Sequence, residues 1–521
     1  MVKVNLKNKF GFLNKSKVIE SNISNFGLEE NIDNNSTWFQ SMEPVTYAKN
    51  NGSKLYKFKK LKINCKASKT FKDLLLTNLK KQLNQFKQKI RQEFLRTSDG
   101  SLNVGLNVIL IDSMLREILN NTHKHVLGNL DYKLSIIAVG GYGRGELAPH
   151  SDLDLLFLIP DDLNKTETKN IEGLVKLILY LLWDLGYTVG HSTRTILDCI
   201  KKSKLDLTIT TSLLEKRFIA GNEHIFDLLK TKFNSFIANT KTLNFVEAKL
   251  KESDLRHKKF GGSRYVVEPN VKDGKGGLRD LHTLIWILKF AYKVDSISKL
   301  INMGALSKNE ALAFAEAQRF LFSVRCHLHY RAQREDDRLA MDAQLEIAKS
   351  MNFKNTITHK DVERFMKRYF LATKTVGNLT RIFCAAIETE FNKPLRLSFL
   401  SFKKSENVDP FSIELGRLYV QNKNILTENP VNIIKLFYIS HQKNIDLHPS
   451  TLRLVTSLTN LINSEVRRDF NANQMFLNIL TSHRDSTRTL RLMNESNVLG
   501  KFIPEFQKIV CLMQFDMYHY Y

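Results

Sequence analysis

The chain has few cysteines, no long apolar run and a shortage of acids. Cys65, Cys199, Cys326, Cys384 and Cys511 are odd in number and far apart, and no Cys-x-x-Cys occurs. That excludes a disulfide framework or zinc ribbon and favours reduced thiols in a cytosolic compartment. The N-terminus, Met-Val-Lys-Val-Asn-Leu-Lys-Asn, has no apolar core of a secretory signal. The longest apolar stretches, such as Leu177–Trp183, fall far short of the roughly 18–20 residues that span a bilayer. A soluble, cytoplasmic protein with no membrane partner is expected. Lys and Arg number 78 against 53 Asp and Glu, a net charge of +25, which favours polyanionic or acidic partners. Lysine and asparagine dominate the polar positions, however, so charge alone does not argue for nucleic acid. With 43% hydrophobic and 25% charged residues the composition is that of a folded chain, and 521 residues suggest two to four domains.

Residues 1 to about 50 are rich in Asn, Ser and Lys and read as a weakly packed extension, with residues 1–69 grouped as a partly disordered segment. From Thr70 an apolar stripe (Phe71, Leu75, Leu79, Leu83, Phe86, Ile90, Phe94) predicts a long helix. A second helix is expected over Leu102–Leu127, which makes 70–130 a helical unit. The period then shortens. Leu134–Val139 is a β-branched apolar run ending at Gly140-Gly141, a buried strand meeting a tight turn. Asp152–Ile159 reads as a second strand, Leu174–Leu185 as a helix and Tyr187–Thr195 as a third strand. Alternating strands and helices place an α+β domain at 131–230, with a small mixed sheet. Beyond it the pattern is helical: 231–400 as a supporting domain and 401–521 as a further helical segment. Ser307-x-x-Glu310 is a capping box, Thr358 and Asp361 open another helix, and Ser401–Pro410 reads as a linker.

The informative stretch is Gly140-Gly-Tyr-Gly-Arg-Gly-Glu-Leu-Ala-Pro-His-Ser-Asp-Leu-Asp154. Asp152 and Asp154 are two apart on a strand, so both side chains leave one face. Adjacent carboxylates repel unless a cation lies between them, and Mg²⁺ carrying a nucleoside triphosphate meets that need. Gly140 and Gly141 let the backbone approach phosphate oxygens, and the Ser151 hydroxyl adds a contact to the same phosphates. A dinucleotide fingerprint is excluded, because Pro149 breaks the helix and no acid ends a second strand. Lys272 and Arg279 flank Gly274, Gly276 and Gly277 before a helix; they suit either nucleotide phosphates or an ordinary turn, with Asp280 favoured by the helix dipole. His327 and His329 are two apart on a helix and so point to different faces, and Trp183 and Trp286 lie in apolar stripes as core residues.

Gly-Gly followed by Asp-x-Asp resembles the nucleotidyltransferase superfamily that includes polymerase β and the kanamycin nucleotidyltransferases. Gly140–Asp154, Val189-Gly-His-Ser-x-Arg194, Asp206-Leu-Thr and Glu268-Pro-Asn-x-Lys-x-x-x-Gly-Gly-Leu-Arg-Asp-Leu-His282 together resemble the bifunctional PII uridylyltransferase/uridylyl-removing family. The resemblance runs from about residue 70 to Tyr521. It implies a polymerase-β-like domain and Mg²⁺-dependent transfer of UMP from UTP to a tyrosine of the PII nitrogen-signalling protein. It implies Asp152 and Asp154 as catalytic metal ligands, one of them aiding deprotonation of the acceptor, and Gly140, Gly141, Ser151, Lys272 and Arg279 at the nucleotide. The third carboxylate of the superfamily has no counterpart at Val189-Gly190-His191; Asp206 is the nearest candidate metal ligand, with Asp198 as the alternative. None of the fourteen histidines precedes an aspartate, so the HD motif of uridylyl removal is absent from these residues. The chain is expected to be the N-terminal portion of such an enzyme, without removal activity. A glutamine synthetase adenylyltransferase-like enzyme and an inactive fragment that only binds nucleotide or PII are the alternatives.

Overall fold

The computed structural model describes residues 43–51, 58, 68–127, 133–294, 299, 308–356, 359–391, 407–414 and 416–509. The proposed extension up to residue 42, the Ser307 cap, Cys65 and Cys511 lie outside them. The described part begins with helix α1 (Pro44–Asn51), which lies on α3 (Gly100–Leu127); a Cβ at Gly105 would sit 2.1 Å from the Pro44 carbonyl oxygen. Helix α2 (Ser68–Thr97) follows the expected stripe, burying Phe71, Leu75, Leu79, Leu83, Ile90 and Phe94.

A four-stranded mixed sheet comes next, in the order β3-β2-β1-β4. Strand β1 (Ser135–Ala138) runs antiparallel to β2 (Leu153–Ile159) and to β4 (Arg217–Gly221), while β2 runs parallel to β3 (Val189–Thr195). β4 carries no alternating pattern and was not foreseen. The one-turn helix α4 (Gly140–Arg144) joins β1 to β2. Helix α5 (Lys165–Asp184) makes the β2–β3 crossover; it begins earlier than its apolar face suggests because Asn164 and Glu167 form a capping box. Helices α6 (Ile196–Leu205) and α7 (Leu207–Leu214) lead into β4.

Strand alternation sorts the two faces of the sheet. Ile136, Ala138, Leu153, Leu155 and Phe157 pack with α2, α3 and α5. Ile137, Val139, Leu156 and Leu158 pack into a second core with the helices that follow: α8 (Glu223–Asn239), α9 (Thr242–Lys259), α10 (Leu278–Tyr292), α11 (Lys308–Ala332), α12 (Met341–Ser350) and α13 (Asp361–Phe391). Asp152 and Asp154 have the parity of Leu156, so they sit at the edge of the face turned to these helices.

The region after 401, expected to be helical, opens instead with a three-stranded antiparallel sheet: β5 (Asn407–Val408), β6 (Phe411–Glu414) and β7 (Arg417–Tyr419). Strands of two to four residues are too short to show a period. Helices α14 (Asn424–Thr427), α15 (Asn432–Lys443), α16 (Pro449–Ser457), α17 (Ser464–Arg468), α18 (Phe470–Leu480), α19 (Ser486–Glu495), α20 (Val498–Phe502) and α21 (Pro504–Ile509) complete a third core with this sheet. It is tied to α13 through Asn378 Nδ2, which donates to the Glu495 carbonyl at 2.6 Å. Trp183 also departs from expectation: it is 46% exposed beside Tyr180, whereas Trp286 is core. Trp183 shares the outer face of α5 with Tyr180 and Lys176, while Leu181, Leu182 and Leu185 in the same stretch are buried. No helix of the described residues is long and apolar enough to cross a membrane.

Candidate active site

The turn after β1 is shaped around one carboxylate. Val139 N donates to the Asp154 carbonyl at 3.1 Å, and Gly140 then adopts φ +56°, a conformation that side chains disfavour. A Cβ at Gly140 would lie 2.6 Å from Asp154 Oδ2. On the other side, Gly190 of β3 stands opposite Asp154 in the parallel register, and a Cβ there would lie 2.6 Å from Oδ1. The Asp154 carboxylate therefore occupies a slot that only two glycines permit. It makes no side-chain hydrogen bond or ion pair among the described residues. Burial and then Asp152 push its pKa up, while Arg144, Lys272 and Arg279 pull it down. Asp152 is exposed, and the Ser151 hydroxyl is buried with no hydrogen-bond partner.

Beneath the turn lies a buried network that sequence reasoning missed. Arg144 Nε donates to Glu146 Oε2 at 2.8 Å, His282 Nε2 lies 2.7 Å from the same oxygen, and Gln318 Nε2 donates to Glu146 Oε1 at 3.1 Å. His282 and Arg144 hold the Glu146 carboxyl well below the usual range despite its burial. Burial, with Arg144 adding to it, pushes His282 down to about 3, so the imidazole is neutral near pH 7. Arg144 Nη1 is buried without a partner. Both Arg144 and His282 fall within the quoted motifs, but only their burial marks them as one network.

Lys272 and Arg279 are delivered by the glycine-rich turn before α10. Asn270 Oδ1 accepts from Lys272 N at 3.0 Å and from Asp273 N at 2.6 Å, and Gly276, at φ +81°, packs against the Thr373 carbonyl. Asp280 ties the turn down by accepting from Gly276 N at 2.7 Å, with His257 Nε2 at 2.8 Å and Arg256 also on its carboxylate. Asp280 thus does more than favour a helix dipole. Lys272 Nζ donates to Glu335 Oε1 at 2.8 Å; Arg279 Nε donates to Asp273 Oδ1 at 3.3 Å, its guanidinium 6.0 Å from the Trp286 ring centre. Burial and Arg144 lower the pKa of Arg279. Cations are crowded here, as a phosphate site requires.

Gly140, Gly141, Asp152, Asp154, Lys272 and Arg279 are thus brought together, and Ser151 adjoins them. Asp206 is not. It is exposed at the N-cap of α7, where its Oδ1 accepts from Thr208 N at 2.7 Å and from the Thr208 hydroxyl. Asp198 is likewise exposed, in the first turn of α6. Among the described residues no group of three or more His, Cys, Asp or Glu gathers into a metal cluster. The two strand carboxylates alone fit a divalent cation, since Asp154 is desolvated, repelled by Asp152 and otherwise unsatisfied. His327 and His329 face different ways, as expected: His327 Nε2 meets Ser98 Oγ at 3.2 Å, and His329 Nδ1 accepts from His150 N at 3.3 Å.

Comparison with known proteins places the chain among its relatives. Residues 120–219 match a nucleotidyltransferase domain, residues 244–384 the GlnD PII-uridylyltransferase family and residues 411–502 the uridylyltransferase GlnD third domain. Nucleotidyltransferase domains generally use a divalent metal. The chain is 44% identical over 456 residues to a protein of Azospirillum brasilense named bifunctional uridylyltransferase/uridylyl-removing enzyme, covering 86% of this chain and 48% of that one. Proteins of the same name from Rhodospirillum rubrum (44% over 453 residues, 86% and 48%) and Novosphingobium aromaticivorans (43% over 435 residues, 82% and 47%) match similarly. The chain spans about half the length of the curated relatives it matches. With its nucleotidyltransferase domain followed by these two family domains, the chain belongs to the GlnD uridylyltransferase family.

Proposed function

We propose that the chain transfers UMP from UTP to a tyrosine hydroxyl of a PII-type nitrogen-regulatory protein in the cytoplasm, releasing pyrophosphate. The observation that carries this reading is the Asp154 carboxylate, held between Gly140 and Gly190 with no hydrogen bond or ion pair among the described residues and with Arg144, Lys272 and Arg279 around it. In this reading Asp152 and Asp154 hold Mg²⁺. When bound there, the ion would supply charge neutralisation for the phosphates. Gly140, Gly141 and Ser151 hold the triphosphate, and Lys272 and Arg279 exchange Glu335 and Asp273 for its oxygens. The tyrosine oxygen forms its bond to the α-phosphorus as the bond to the pyrophosphate oxygen breaks, and one strand carboxylate takes the hydroxyl proton. Asp206 keeps its capping role. Uridylyl removal is not assigned to these residues, which include no His-Asp dipeptide.

The test is incubation of the chain with PII, and in parallel with glutamine synthetase, in the presence of Mg²⁺ and labelled UTP or ATP, with the modified residue located by mass spectrometry. Label from UTP on a PII tyrosine is expected. Label from ATP, or on glutamine synthetase instead of PII, would replace this reading with adenylyl transfer. A folded chain that binds UTP without transferring it would leave nucleotide binding as its activity.

A further inference from the structure

A second concentration of positive charge lies on the far side of the same glycine-rich turn. Lys275 is within electrostatic reach of Arg264, Glu495 and Arg491, where α13 meets α19. There Arg264, 8% exposed, has Nη2 3.6 Å from Glu495 Oε1, and Arg381 Nη1 stands 3.0 Å from Glu495 Oε2. Arg491 adjoins them from α19; neither it nor Lys275 forms an ion pair among the described residues. Glu495 is thus the one carboxylate paired with any of these four cations in the described structure. Burial, then Arg264, lowers the pKa of Lys275, with Arg491 adding to the effect.

The place is built as well as charged. Gly377 makes room for the Arg264 guanidinium, whose Nη2 would lie 2.9 Å from a Cβ at that position. A cavity of about 330 Å³ opens beside the cluster, lined by Arg381, Arg488, Arg491, Asp485 and Glu495 among others. Its other acids are occupied: Arg488 holds Asp446, and Asp485 caps α19 by accepting from Thr487 N at 2.9 Å. Arg381 Nε is buried without a hydrogen-bond partner among the described residues. A cluster serving only to brace the end of α19 would not leave a buried guanidinium donor unused beside a cavity of this size.

We propose that Arg264, Lys275, Arg381 and Arg491 form a second anion site, separate from the Asp154 centre, that takes a small phosphate-bearing ligand. The chemistry suits phosphate, because Arg and Lys donors without enough carboxylates are completed by an oxyanion with several acceptor oxygens. The same ligand would steady the turn that carries Lys272 and Arg279.

The test follows acylation of Lys275 by mass spectrometry on the whole chain, with inorganic phosphate as the probe against sodium chloride of equal ionic strength. Millimolar phosphate should slow acylation of Lys275 about threefold, the protection given by a site about two-thirds occupied, and leave exposed Lys201 unaffected. Arg491→Gln, an exposed position that the fold does not need, should remove most of that protection. Asp154→Asn should keep it, which separates this site from the catalytic one. Equal rates in phosphate and chloride, or protection unchanged in both Arg491→Gln and Arg381→Gln, would overturn the proposal.

Discussion

Asp280 and Asp154 are carboxylates beside two glycine turns of one domain pair, and they are treated in opposite ways. Asp280 is almost fully buried and saturated: Gly276 N, His257 and Arg256 all address it, and these partners hold its pKa below the ordinary value despite burial. Asp154 is partly buried and unsatisfied, and its pKa is raised. A saturated carboxylate fixes a turn. An unsatisfied one, walled by backbone on both sides, is a seat for something brought from outside. On the proposed function, the contrast separates the residue that holds the site's shape from the residue that would do its chemistry.

The sharpest way to break this contrast is to neutralise each acid in turn. Asp154→Asn should lower uridylyl transfer about a thousandfold, the several kcal/mol that a metal site contributes. The same variant should leave the metal-free unfolding temperature unchanged or higher, because a strained charge is removed. Asp280→Asn should do the reverse and cost about 3–5 kcal/mol in urea unfolding, since Arg256 and His257 would lose their buried partner. Gly190→Ala should place a Cβ 2.6 Å from Asp154 Oδ1, with transfer falling about a hundredfold as that carboxylate is displaced, while the fold survives.

Titration should give the two acids opposite signs. The pKa of Asp280 is depressed on folding, so its contribution is present above the unfolded value and is lost as pH falls through the folded one. That of Asp154 is raised above the ordinary 3.8, so its contribution is present when protonated and is lost as pH rises through the folded value. Without divalent ions, wild type should therefore lose unfolding temperature relative to Asp154→Asn as pH rises from about 4 toward neutrality. The smallest effect concerns Asp206. Asp206→Ala should cost about 1 kcal/mol through loss of the α7 cap and leave transfer intact; a large loss of transfer would return Asp206 to the metal site.

Much of this was legible in the residues. Period-two spacing put Asp152 and Asp154 on one face, and the sheet keeps that parity. Gly140 and Gly141 announced a turn, although the reason for Gly140 is Asp154 Oδ2, fourteen positions further along the chain. Gly190 looked like a gap, because only the β2–β3 register shows that it stands against Asp154. Asp206 was the nearest acid to the missing third carboxylate, and that its side chain caps α7 through Thr208 appears only in three dimensions. The Arg144–Glu146–His282–Gln318 network joins residues far apart in the chain, so its members carry no shared sequence signal. Short strands β5 to β7 failed for the plainer reason that a period needs length.

The claim that Asp154 is a metal seat meets its most direct test in calorimetric titration of Mn²⁺, in the presence of a non-hydrolysable UTP analogue, into wild type and Asp154→Asn. Saturable binding by wild type that disappears in a variant at least as stable to heat is the predicted result. Equal Mn²⁺ binding by both folded proteins would contradict it.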